Sequence, residues 1–126
     1  MTGKVNPLVQ QKLNELQEFV SRVQRVHGLV ELLATARSNP EQYETPVRRA
    51  FEQLKLQFMG AGYDSLSQLA GSMAMAARRS GSLVSKSRIL REGVGSMRFQ
   101  LELEARSLRS AEAAAQERQK QAEEGA

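Results

Sequence analysis

The chain has 126 residues with one histidine, no cysteine, no tryptophan and a formal net charge of +4. That length suits a single domain able to bury roughly two thirds of the surface its unfolded chain exposes, and the missing thiols exclude cysteine nucleophiles, zinc–thiolate centres and disulfide frameworks. Alanine, leucine, glutamine, glutamate and arginine abound while aromatics make up 5% of residues, a balance that favours helix over sheet.

The charge is unevenly spread. Residues 1–47 carry five basic and five acidic side chains, residues 48–98 nine against three (+6), and residues 99–126 four against six (−2). The opening MTGKVNPLVQQ has no apolar signal-like core, and no apolar run approaches the ~18 residues that cross a bilayer. A soluble, cytoplasmic protein with no membrane association is expected.

Residues 1–7 read as a flexible arm ending at Asn6-Pro7, where proline can open a helix. Val9, Leu13, Leu16, Val20, Val23, His27 and Val30 then recur at alternating spacings of four and three, with Phe19, Val26 and Leu33 on one flank, the pattern of a long amphipathic helix. Gly28 predicts a bend or break near residues 27–29, and Ser38-Asn39-Pro40 an end, with Asn39 or Ser38 capping one further turn at residues 41–45. Beyond that turn, Pro46 opens a second helix whose inward stripe is Val47, Phe51, Leu54 and Phe58.

Gly60-Ala61-Gly62 makes a tight corner. Asp64 or Ser65 is expected to cap a third helix, Ser65 and Gln68 forming a capping box, with Leu66, Leu69, Met73 and Ala76 inward and Ala70, Ala74 and Ala77 allowing close approach. Ser80-Gly81-Ser82 turns the chain again. A last helix runs from about Leu83 to about Lys120 on a seam of Leu83, Leu90, Val94, Met97, Leu101 and Leu108, interrupted by Ser87 and Glu104. Gly93-Val94-Gly95 lies inside it and is read first as a close packing of backbones. Residues 8–110 form the bundle, and residues 111–126, nearly devoid of large apolar side chains, a frayed helical or disordered tail.

Chemistry is scarce. His27, the lone histidine, sits on the first seam; the structural reading is a half-buried side chain bonded to a neighbouring helix, and the alternative a phosphoacceptor or general base. Glu102 and Glu104 lie on different faces of a helix, no nucleophile elbow or phosphate loop occurs, and neither a metal site nor a cofactor site is expected. No catalytic residue is assigned, and the protein is expected not to be an enzyme.

Two surfaces stand out instead. One is a basic patch of Arg78, Arg79, Lys86, Arg88 and Arg91 about the second corner. The helix dipole explains cations at the end of the third helix but not at the start of the fourth, so the patch suits an acidic partner or a nucleic-acid backbone, without aromatics to stack on bases. The other is Arg48, Arg49, Glu52, Lys55, Leu56 and Met59, where two apolar side chains off the core stripe sit among charges and could anchor a helical or acidic partner.

Residues 29–110 resemble a histidine phosphotransfer domain, the four-helix bundle that relays phosphoryl groups between receiver domains. Leu54-Lys55 and Gly62 fall on that family's histidine, any residue, Leu-Lys-Gly pattern with its glycine ten positions after the histidine; LSQLAGSMAMAAR resembles the following helix and VELLATARSNPEQYETPVRRA the lead-in. Glu52 stands at the phosphoacceptor position and Leu56 at the glycine that admits the receiver, so the resemblance implies a degenerate module that keeps docking and has lost transfer.

The expectation is therefore an all-α antiparallel four-helix bundle with long first and last helices. It would serve as a non-enzymatic adaptor for a protein partner, a receiver domain in the reading the resemblance supplies. Other readings are nucleic-acid binding through the basic middle segment, phosphotransfer through His27, and a homo-oligomer built on the seams of the first and last helices.

Overall fold

A computed structural model describes residues 6–125 as four helices: α1 Pro7–Ala34, α2 Glu41–Gly60, α3 Asp64–Arg78 and α4 Leu83–Glu124. The helices pack as an antiparallel bundle, α1 against α4 and α2, and α3 against α2 and α4. The first and last are the long ones, with 28 and 42 residues.

Of the expected N-terminal arm, residues 1–5 lie outside the described residues. Asn6 caps α1, its side chain accepting a 2.9 Å bond from Leu8 N, with Pro7 at the first helical position. Of the bend or break expected near Gly28, the break does not occur: α1 is a single helix through it. Val23, Val26, Val30 and Leu33 are buried on both sides of it, and that burial outweighs the roughly 1 kcal/mol helix penalty of a glycine. The buried set Leu16, Phe19, Val23, Val26, Val30 and Leu33 also turns the helix toward the expected flank, leaving Val9, Leu13, Val20 and His27 half-exposed.

The first corner departs from the expected cap. Asn39 takes positive φ (49°), a conformation asparagine tolerates, and Pro40 stands at the N-cap of α2 without a side-chain bond. Residues 41–45 belong to α2 itself, so Pro46 lies inside the helix and not at its start. Glu41 and Glu44 in the first turn favour this longer helix through its dipole, and Tyr43 packs on the core.

At the second corner Gly62 has φ +86°, while Tyr63 N donates to Phe58 O (2.9 Å) and Gly62 N to Met59 O (3.1 Å). This is the paired closure of a Schellman cap, and it requires the left-handed residue that glycine supplies. Phe19 of α1 packs on both residues that flank this closure, stacking on Phe58 at 4.6 Å and meeting Tyr63 edge-on. The N-cap of α3 is Tyr63, not Asp64 or Ser65; the Ser65 hydroxyl is drawn away to Gln100 Oε1 on α4 at 3.3 Å.

Close approach of α2 and α3 follows from the small residues of α3. Ser67, buried, donates from Oγ to Lys55 O at 3.0 Å, and Ala70, Ala74 and Ala77 are buried beside it. Ser82 caps α4, accepting from Ser85 N at 3.4 Å. The core seam of α4 holds Lys86, Ser87, Leu90, Gly93, Val94, Met97 and Leu101. The segment expected as a tail continues the helix to Glu124, mostly exposed, and Glu112 Oε1 accepts from Asn6 N at 3.0 Å where α1 begins.

Candidate docking face on α2 and α3

Two of the five cations predicted as a basic patch are paired with carboxylates of other helices, one of them buried and the other at the surface. Lys86 is 7% exposed and its Nζ lies 2.8 Å from Glu44 Oε1. The physical reason is register: Lys86 stands one turn before Leu90 on the core stripe, so its stem is buried and its head reaches across to α2. Arg91 is held by Glu31 of α1 through two bonds, Nε at 2.7 Å and an Nη at 2.8 Å. A bidentate guanidinium–carboxylate pair is a strong charge-assisted contact, and the Arg91 guanidinium bonded to Glu31 holds that carboxyl below its usual range, with a smaller contribution from His27. Arg78, Arg79 and Arg88 are exposed and have no carboxylate partner among the described residues.

His27 is not buried against another helix. Its Nε2 lies 3.4 Å from Glu31 Oε1 on its own helix, with about 40% of the side chain exposed. The histidine thus stands at the edge of the Glu31–Arg91 bridge.

The second predicted surface is brought together. On α2 the stripe Val47, Phe51, Leu54 and Phe58 faces the core, which turns Arg49, Lys55, Leu56 and Met59 outward, with Arg48 and Glu52 half-exposed beside them. Leu56 is 66% and Met59 52% exposed. Arg48 donates to Glu52 Oε1 at 3.1 Å, a half-exposed pair four residues apart that contributes little to stability.

Reading the sequence missed the contribution of α3. Met75, 62% exposed, joins Gln68, Gly71 and Arg78 with Glu52 and Lys55 around an open groove of about 500 Å³ between the two helices. The Lys55 stem lies over Gly71, where a Cβ would come within 3.3 Å of Cδ. The signal was present: Met75 falls off the Leu66, Ala70, Met73, Ala77 stripe, as Leu56 falls off that of α2. Arg78 belongs with this groove as much as with the corner.

Elsewhere, burial pushes the Tyr63 phenol up to about 12, the Glu15 charge adding to the effect. No three of His, Cys, Asp or Glu gather as a metal-binding group among the described residues, and no described helix is long and apolar enough to cross a membrane. Comparison with protein-family models, curated proteins and solved structures finds no match.

Proposed function

We propose that the α2–α3 face docks the acidic surface of a receiver-type phosphorelay domain and that the protein works as a non-enzymatic adaptor. The observation that carries this reading is an open groove lined by the exposed Met75 and by Lys55 and Arg78, two cations without a carboxylate partner among the described residues, with the further exposed apolar side chains Leu56 and Met59 on the same helix as Lys55. Flexible methionines and an exposed leucine can anchor a partner helix, and the flanking cations favour an acidic one and speed its approach.

The resemblance to phosphotransfer domains supports the choice of partner, because Lys55, one of the residues that carry it, lies on this face with Glu52 and Leu56, which stand at that family's phosphoacceptor and glycine positions. Glu52 occupies the position of the phosphoaccepting imidazole, and a carboxylate does not replace that carrier. Leu56 projects where a glycine would leave room. Docking by contact, without transfer, is the behaviour this combination supports. Nucleic-acid binding through the basic middle segment is less favoured, since Lys86 and Arg91 are matched to Glu44 and Glu31.

Calorimetric titration of the chain with isolated receiver domains, at low and at high salt, tests the reading. Binding that weakens with salt, and that drops about tenfold or more in Leu56→Asp and in Arg78→Glu, is expected. Binding indifferent to both substitutions, or no receiver bound at any salt, rejects it.

A further inference from the structure

The outer face of α4, turned away from the core, carries three exposed apolar side chains, Ile89, Phe99 and Leu103, that the bundle does not use, interleaved with polar and charged ones. Ile89, Glu92, Ser96, Phe99, Leu103 and Arg106 recur at alternating spacings of three and four, the repeat of a helix-packing seam. All six are exposed, with Phe99 at 59% and Leu103 at 43%. Gly95, beside Phe99 on this face, is open: a Cβ there would meet nothing within 4 Å.

We propose that two copies of the chain pair antiparallel through this face, about a two-fold axis at Phe99. In that register a residue a given number before Phe99 faces the residue the same number after it in the other copy. Glu92 and Arg106 are each seven positions from Phe99, and Gly95 and Leu103 each four. Glu92 of one copy therefore meets Arg106 of the other, twice over, and Leu103 of each settles over Gly95 of its mate, with the two Phe99 rings at the centre.

Self-complementarity of this kind is what a two-fold interface demands, since every contact must recur with its partners exchanged. Neither Glu92 nor Arg106 is ion-paired within the chain among the described residues, so both are free to pair across the axis. A parallel arrangement would instead set Glu92 against its own copy and Arg106 against its own, which is repulsive at both ends. The charge pattern thus selects the antiparallel dimer and selects a second copy as the occupant. This interface lies on the exposed side of α4, not on the buried seams of the first and last helices.

Sedimentation equilibrium of the full chain, from about 1 μM to about 1 mM, tests the proposal. A reversible monomer–dimer equilibrium is expected, with a dissociation constant raised about tenfold or more by Phe99→Glu while circular dichroism shows unchanged helix content. Glu92→Arg and Arg106→Glu should each weaken the dimer about tenfold, and an equimolar mixture of the two should recover a heterodimer near the original affinity, because arginine then faces glutamate at both ends. A chain that stays monomeric throughout, a dimer unaffected by Phe99→Glu, or a mixture no tighter than its components overturns it.

Discussion

A methyl group added at Gly93 would overlap the Met73 sulfur and lie 2.7 Å from its Cγ, whereas one added at Gly28 would meet nothing within 4 Å. The two helix glycines therefore respond in opposite ways to the same substitution. Gly28→Ala should stabilise the fold by about 1 kcal/mol, the helix-propensity difference in an exposed interior position. Gly93→Ala gains the same propensity but forces Met73, buried against α4, out of its place, and overpacking of that kind typically costs about 1–3 kcal/mol, so a net loss is expected. Chemical denaturation of a double-mutant cycle checks it: in a Met73→Ala background, itself destabilised, Gly93→Ala should no longer lose stability. Additivity of the two substitutions would mean that the sulfur contact is not what excludes a side chain at Gly93. The close-packing reading of Gly93-Val94-Gly95 is available from the sequence, but only for the pair; which glycine touches a neighbour depends on the rotation of α4 about its axis, and Gly95 points the other way.

Between elements, the cross-links are ionic as well as apolar. Glu31 ties α1 to α4 through Arg91, and Glu44 ties α2 to α4 through Lys86. The folded-state pKa of Glu31 is depressed, first by the Arg91 hydrogen bond, so its contribution is fully present above the ordinary carboxylate range and is lost as pH falls through the lowered value. The pair is solvent-exposed, and the contribution is correspondingly small. Acid titration of stability should show a shallower decline for Arg91→Gln than for the parent across the interval below the ordinary carboxylate range, with the two curves converging at lower pH; parallel curves would show that Arg91 does not hold the Glu31 proton off. These links explain why the basic patch is smaller than its run of cations suggests. Arg91 carries no local mark of its partner, which is sixty residues away and is found only once α1 and α4 are aligned. Lys86 does carry one, standing one turn before Leu90 on the seam, but its charge argues for the surface more strongly than its position argues for the core. The cap of α3 departs from expectation for a related reason: Ser65 meets the local rule for an N-cap, yet its hydroxyl bonds to Gln100 across the bundle.

For the molecule as a whole, three-four periodicity is enough to give four helices, their order and most of the core, because each stripe must be covered by another. It does not give the flank of α1 that faces inward, nor the groove that α2 and α3 make together, since both depend on how stripes are rotated against one another. That rotation also separates two surfaces. In the bundle α4 packs along α1 and α3 while α2 lies diagonally across, reached from α4 by the Lys86 side chain, so the Phe99–Leu103 stripe and the Leu56–Met59 face look out from opposite sides. A dimer formed on α4 would leave two docking faces free, and two linked sites can bind a paired target far more tightly than one. For a monomeric receiver domain no such gain arises, and the sites should act independently. Phe99→Glu should then leave the affinity for an isolated receiver within about twofold, and Leu56→Asp should leave the dimer constant within the same margin. Calorimetry for the first and sedimentation for the second decide the matter, and a substitution on either side that moved both constants would mean the two faces communicate through the core or share one surface.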